Sequence, residues 1–318
     1  MYPSVKGLLT EPLLAELTAR FGLTPDSLTL LGYWQNFVYR CRRGDHGRIL
    51  RITHHSHRSP DMVQSELDFV SYLAQHGVVA ARPVEPMQTA GEFSAVLFEE
   101  APGVIPYGVV DMWKVCRLVG RLTGRMHRLS RSYTPSPGVA RRFAWHENDF
   151  LRDLPRYVPA EQEGVHRTFA RLLVQLHGLP VDEASYGLIH GDIVRGNFFW
   201  HEGQLHIFDF DEAQYSWFAN DLAISLFYAI PFPSDDRDEV VRRFMSEYME
   251  GYSQEHTLDL YWLKQMPLFL RLRQLILYTA LYRGADLTKL SPWGRRFMEF
   301  SRVNLERDEP FIDFDFAL

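Results

Sequence analysis

Two carboxylates and one carboxamide have the types and spacing that phosphoryl transfer demands. Asp192 and Asn197 stand in His190-Gly191-Asp192-Ile193-Val194-Arg195-Gly196-Asn197, an H-x-D-x-x-x-x-N spacing. Asp209 follows in Ile207-Phe208-Asp209-Phe210-Asp211, beyond turn-forming residues Glu202-Gly203-Gln204. Phosphoryl transfer brings an attacking hydroxyl, a γ-phosphate and Mg²⁺ within a few ångströms of one another. Magnesium prefers oxygen ligands and takes few of them from protein. One loop here supplies a base, Asp192, and a ligand, Asn197; the end of the neighbouring strand supplies a second ligand, Asp209. Without the downstream aspartate the same residues would pass for a polar turn. With it, the pattern supplies a base and two metal ligands, the set that phosphoryl transfer needs.

Composition sets the outer limits. A chain of 318 residues is long enough for a two-lobed domain or two domains with a substantial core. A formal net charge of −6 argues against a broad nucleic-acid surface. Cys41 and Cys116 fit no metal spacing and read as small core residues in a reducing compartment. The first twenty residues lack an apolar signal core and carry Glu11 and Glu16. The longest apolar run, Leu222 to Phe232, is broken by Pro231 and too short to span a bilayer. The expectation is a cytoplasmic protein with neither a nucleic-acid nor a membrane partner.

The elements that must position the loop are read from periodicity and turn residues. Residues 12–21 carry a helical face ended by Gly22. Strand-like runs cover Leu28 to Tyr33, Phe37 to Arg42, Arg48 to Ile52, Val84 to Gln88 and Phe93 to Glu99, with a helix from Ser59-Pro60 to Gln75 after the third. A Pro-Gly break at Pro102-Gly103 marks a boundary, giving lobes of 1–102 and 103–318. Beyond it, helices are predicted over Val109 to Leu129, Glu161 to His177, from Asp221, and over Ser234 to Tyr252, Asp259 to Tyr282 and Pro292 to Leu305. The fold class is α+β: a small antiparallel five-stranded N-lobe and a larger, mainly helical C-lobe. The histidine cluster His54-His55-Ser56-His57 has no carboxylate nearby in sequence and reads as a solvated loop.

The order of strands and helix is that of the small lobe of a kinase. In that order Gly32 to Asn36 form the turn that covers phosphates with backbone amides. Arg51 takes the place of the phosphate-pairing lysine on the third strand, Glu66 is its ion-pair partner on the following helix, and Phe98, Glu99 and Ala101 lie in the connector that offers backbone groups to adenine. The run from Ile189-His190-Gly191-Asp192 through Phe208-Asp209-Phe210-Asp211-Glu212-Ala213 to Asn220-Asp221-Leu222-Ala223 resembles the aminoglycoside phosphotransferase/choline kinase family, which has a protein-kinase-like fold. Val119 to His127 also resembles the bacterial stress-response kinase branch. The resemblance implies Asp192 as catalytic base, Asn197 and Asp209 as magnesium ligands, Asp221 as a support for the loop, and ATP and Mg²⁺ as cofactors. The chain departs from the kinase pattern at Arg51, at its glycine-poor loop, and in lacking both the D-F-G glycine and an A-P-E sequence, so no regulatory activation loop is expected.

The function so implied is an O-phosphotransferase acting on the hydroxyl of a small, amine-bearing molecule. Glu247, Glu250, Glu255, Asp259, Asp211 and Glu212, with Trp217, Phe218 and Tyr228, are the candidates for its pocket. The alternatives are a protein Ser/Thr kinase of the stress-response type and a pseudokinase that binds nucleotide without turnover; a scaffold of this fold is a third. The acceptor, the choice of ATP over GTP and the oligomeric state are not legible.

Overall fold

The computed structural model of the protein describes residues 5–230 and 237–316. The chain forms two compact units. The first comprises residues up to Val104 together with Tyr133–Arg142 and Phe199–Asp211; the second comprises Ile105–Ser132, Phe143–Phe198 and the chain from Glu212 onward.

In the first unit, α1 (Glu11–Ala19) precedes an antiparallel sheet of β1 (Thr29–Gly32), β2 (Phe37–Arg43), β3 (His46–His54), β4 (Gln88–Ala90) and β5 (Phe93–Glu99), ordered β1-β2-β3-β5-β4. Side chains alternate across a strand, and β3 shows what this does. Leu50 and Ile52 pack into a core with Leu17, Phe21, Phe37 and Leu97. Arg51, between them, leaves on the other face. Helix α2 (Pro60–Gln75) starts with Pro60 at its first position and Ser59 accepting the Met62 N–H at 3.3 Å. It buries Val63 and Leu67 against Val96 and carries Glu66 on the same buried side. The fourth strand lies later than the predicted Val84 to Gln88. Pro83 and Pro86 have no N–H to give a ladder, so that stretch makes an isolated bridge of Pro83 with Phe98, with bonds from the Val84 N–H to the Leu97 carbonyl at 2.8 Å and from the Glu99 N–H to the Arg82 carbonyl at 2.9 Å, before β4 begins. β7 (Phe198–His201) and β8 (Gln204–Ile207) form a separate two-stranded sheet. The turn joining them places Glu202 and Gly203 at φ 46° and 88°, the pair of left-handed residues that a tight hairpin needs.

The second unit is helical around one small sheet, β6 (Tyr186–Ile189) paired antiparallel with β9 (Gln214–Trp217). Its helices are α3 (Met112–Ser130), the single turns α4 (Asp149–Arg152) and α5 (Leu154–Tyr157), α6 (Glu163–His177), α7 (Phe218–Ala229), α8 (Arg237–Tyr252), α9 (Leu260–Lys264), α10 (Met266–Gly284) and α11 (Pro292–Glu306). The long helix predicted over Asp259 to Tyr282 is two. Its break precedes Pro267, which sits in the first turn of α10, where a missing N–H costs nothing. The first residues of the predicted Ser234 helix lie outside the described residues. No helix among the described residues is long and apolar enough to cross a membrane.

Helices α3 and α8 approach so closely that only glycine fits between them. A Cβ added at Gly124 would meet the Tyr252 carbonyl oxygen at 2.6 Å, and one at Gly120 would overlap the Tyr248 carbonyl outright. Backbone cannot yield as a side chain can. We expect Gly120→Ala to destabilise the protein by about 1–3 kcal/mol, the usual cost of overpacking, read as a lower urea midpoint; an unchanged midpoint would contradict the close approach.

Candidate active site

The loop that carries Asp192 is pinned from several sides within the second unit. Asp221, buried in the first turn of α7, accepts the backbone N–H of His190 at 3.0 Å and of Gly191 at 2.8 Å. The Nε2 of His127 lies 3.1 Å from the same carboxylate, and its ring stacks on Phe218. His127 is therefore a buried structural residue. Gly191 has φ 79°, and a Cβ there would overlap the Glu212 carbonyl, so the sharp turn into the loop requires glycine. Ser225 Oγ donates to the Ile193 carbonyl at 3.1 Å and holds the loop's far side.

Within that frame, Asn197 donates its side-chain amide to both the main-chain carbonyl and the Oδ2 of Asp192, each at 2.9 Å. The amide nitrogen is thus committed to Asp192, and the carbonyl oxygen Oδ1 is what Asn197 offers to a cation. A quarter of the Asp192 side chain is exposed. Its Oδ1 accepts from Arg273 of α10 at 2.5 Å. Arg273 also donates to the Tyr228 hydroxyl at 2.8 Å.

The first unit contains a cavity of about 190 Å³ with mainly apolar walls, among them Leu31, Val38, Val70, Ala81 and Phe208. Arg51, Glu66, Phe98, Glu99, Ala101 and Asp209 all line it. Gly32 and Asn36 do not. Asn36 is buried, donating to Asp211 at 3.3 Å and accepting from Thr53 at 2.7 Å, so its side chain braces the strand ends. Arg51 meets Glu66 in a two-pronged pair of 2.7 and 2.6 Å and lies 3.8 Å from Asp209. Burial opposes the charge on Arg51, but Glu66 outweighs it and holds the guanidinium protonated above its usual range. Asp209 is half exposed and adopts φ 64°, a conformation uncommon for any residue but glycine. Its carboxylate is a hard oxygen donor of the kind magnesium takes, as is the Asn197 amide oxygen in the second unit, so each residue by its chemistry fits that ion.

Asp211, two residues on, is unlike Asp209 in every respect. It is buried, its Oδ2 lies 2.6 Å from His57 Nε2, and its backbone carbonyl accepts from Arg58 at 3.3 Å and from Arg142. The solvated histidine loop expected from sequence is thus in part a buried anchor; the signal for it in the sequence is Arg58 directly after His57. Burial disfavours the Asp211 charge, but His57, Arg58 and Arg51 prevail and hold its carboxyl well below the ordinary 3.8. The unfolded chain therefore takes up this proton more readily than the folded one. The stabilisation is complete above about pH 4 and is lost as pH falls toward the lower folded value. Asp211→Asn should lower the urea midpoint at pH 7, and its deficit relative to wild type should shrink at pH 3; a constant deficit would refute the linkage.

Of the acids predicted to form an acceptor pocket, Glu255 and Asp259 together line a cavity of about 390 Å³ beside Arg128, Arg131 and His256, and the others do not. Glu247 and Glu250 pair with Arg117, and Glu255 with Arg121 and Arg128. Glu212 accepts from Asn148, and Trp217 and Phe218 are core. Of the nine candidates, Glu212 sets its backbone carbonyl against Gly191, and Tyr228 meets Arg273, the partner of Asp192. Tyr228 also lines a small cavity of about 20 Å³ beside Ile193, Val194 and Arg195. Arg273 escaped the sequence reading, although an arginine inside the apolar run of α10 was a signal that a buried partner exists.

Comparisons with known proteins bear on this geometry. A model of the phosphotransferase enzyme family (APH) matches residues 29–258. Amicoumacin kinase of Bacillus subtilis (strain 168) is 34% identical over 324 residues, covering 96% of this chain and 95% of that protein. The structure of amicoumacin kinase hAmiN in complex with AMP-PNP, Ca²⁺ and Ami superimposes with a TM-score of 0.91 at 31% identity, covering 99% of each chain. A microcompartment-associated aminopropanol kinase shares the fold, with a TM-score of 0.68 at 23% identity over 88% of this chain and 91% of that one. The chain belongs to the phosphotransferase enzyme family, and is an ATP-dependent kinase that phosphorylates a hydroxyl group of a small molecule.

Proposed function

We propose that this kinase transfers the γ-phosphate of ATP to a hydroxyl of amicoumacin or a close chemical relative, with Asp192 as the base. The observation that carries the assignment of the base is the clasp of Asp192 by Asn197 at 2.9 Å, in a loop braced by Asp221. A carboxylate held in place by a neighbouring amide, with a lone pair to spare, orients a hydroxyl and takes its proton as attack proceeds. Asn197 and Asp209 are the residues we assign to magnesium, which when bound neutralises phosphate charge. Arg51, fixed by Glu66, contributes a planar fork suited to phosphate oxygens. Phe98, Glu99 and Ala101 line the apolar cavity and are assigned to adenine, with Gly32 and Asn36 belonging to the turn that covers the nucleotide. The acceptor assignment is supported by the likeness to amicoumacin kinase across nearly the whole chain. We place the enzyme in the cytoplasm, a reading supported by two buried, unpaired cysteines.

The test is ADP release from ATP and Mg²⁺ with amicoumacin, aminopropanol, choline and a Ser/Thr protein extract as acceptors. We expect release with amicoumacin and none with the extract. Turnover confined to choline or aminopropanol would overturn the acceptor. A rise in melting temperature with ATP and Mg²⁺ but no release with any acceptor would overturn the reading of active transfer.

A further inference from the structure

We propose that Arg273 is a positioning residue for the phosphoryl-transfer reaction, coupling the catalytic carboxylate to the acceptor side through Tyr228. The inference rests on the reading of Asp192 as base. Helix α10 is built of apolar residues and largely buried. An arginine in such a helix is retained only where its charge meets a partner. The Arg273 side chain is 11% exposed, and a single nitrogen, Nη2, serves two acceptors: Asp192 Oδ1 at 2.5 Å and the Tyr228 hydroxyl at 2.8 Å. Its Nε is buried with no hydrogen-bond partner. The side chain is oriented to deliver Nη2 to the carboxylate.

The result is a carboxylate gripped on both oxygens, Oδ2 by Asn197 and Oδ1 by Arg273. Two donors on opposite oxygens fix the rotation of the carboxylate plane, which one donor leaves free. Each oxygen keeps a lone pair for the acceptor hydroxyl. Tyr228 extends the arrangement: its ring lies 5.0 Å from the Arg273 guanidinium carbon, and it lines the small cavity next to Ile193, Val194 and Arg195. That cavity, about 20 Å³, has room for one water, so what Tyr228 brings to this end of the loop is its hydroxyl contact with the residue that sets the base.

The experiment is steady-state kinetics of Arg273→Ala, Arg273→Lys, Tyr228→Phe and the Arg273→Ala/Tyr228→Phe double variant, with Asp192→Asn alongside. We expect Arg273→Ala to lose about 100-fold in kcat, the scale of a misplaced catalytic group, with the KM for ATP within about threefold of wild type. Millimolar guanidinium should restore kcat at least about fivefold, and methylammonium should not, since only a planar fork refills the site. Tyr228→Phe should lose about fivefold alone and nothing further in the double variant, because both act through one link. Arg273→Ala with a kcat within about threefold of wild type would overturn the proposal. So would a loss that tracks a fall in melting temperature and resists guanidinium, which is the signature of a structural role. If Asp192→Asn itself stays active, the base assignment fails first; if it is inactive while Arg273→Ala is active, only this inference fails.

Discussion

Asp192→Asn should lower kcat by about 10²–10⁴-fold, the range associated with loss of a general base, and leave ATP binding within about threefold of wild type. The amide is nearly isosteric and keeps a place for the Asn197 contact, but it cannot take the acceptor's proton. It also leaves the buried Arg273 facing a neutral group, so some stability goes with the activity. The two losses separate by measurement. Binding is followed by the ATP-dependent shift in melting temperature and turnover by ADP release. Retention of more than about a tenth of kcat, a cost below about 1.4 kcal/mol, would remove Asp192 from the base role, whatever the fate of Arg273.

Glu66→Ala is expected to destabilise the strand-rich unit by about 3–5 kcal/mol, the penalty for stranding one partner of a buried ion pair. Arg51 and Glu66 are 6% and 1% exposed and share two short hydrogen bonds. Of the other anions acting on Arg51, Asp211 is already held by His57 and Arg58, and Asp209 is at 3.8 Å and half in solvent, so neither replaces Glu66. Replacing both partners with well-packed apolar residues, as in Arg51→Met/Glu66→Leu, should recover stability to within about 1 kcal/mol of wild type while turnover stays lost. That pattern would show the pair to be kept for phosphate chemistry and not for the fold. A Glu66→Ala urea midpoint equal to wild type would contradict the buried pair.

The parts legible in sequence are those whose partners lie close along the chain or follow a fixed order of elements. Asp192 and Asn197 are five residues apart, and their contact follows from the loop. Arg51 and Glu66 face each other because a strand of period two presents Arg51 opposite Leu50 and Ile52, and the next helix carries Glu66 on its buried side. What escaped was long-range and polar. Arg273 reaches Asp192 across 81 residues, and His57 reaches Asp211 across 154. No local period marks such partners. The helical acids were read as an acceptor wall because charges on helices look alike in sequence whether they face a ligand or an arginine on the next helix, and α3 supplies arginines for three of them. The displaced fourth strand came from weighing apolar pattern above the two prolines that forbid a ladder.

Asp211 stands where the protein-kinase D-F-G motif has glycine. A glycine there lets the segment holding the metal-binding aspartate swing between arrangements. Here the same position is a buried anion gripped by His57 and Arg58, with its carbonyl held by Arg142, and the preceding Phe210 is buried against Phe69. Swinging it would strand charges in the interior, and a switch needs two states of nearly equal free energy. The segment is anchored where a kinase switch would pivot, and phosphatase treatment should leave the specific activity unchanged.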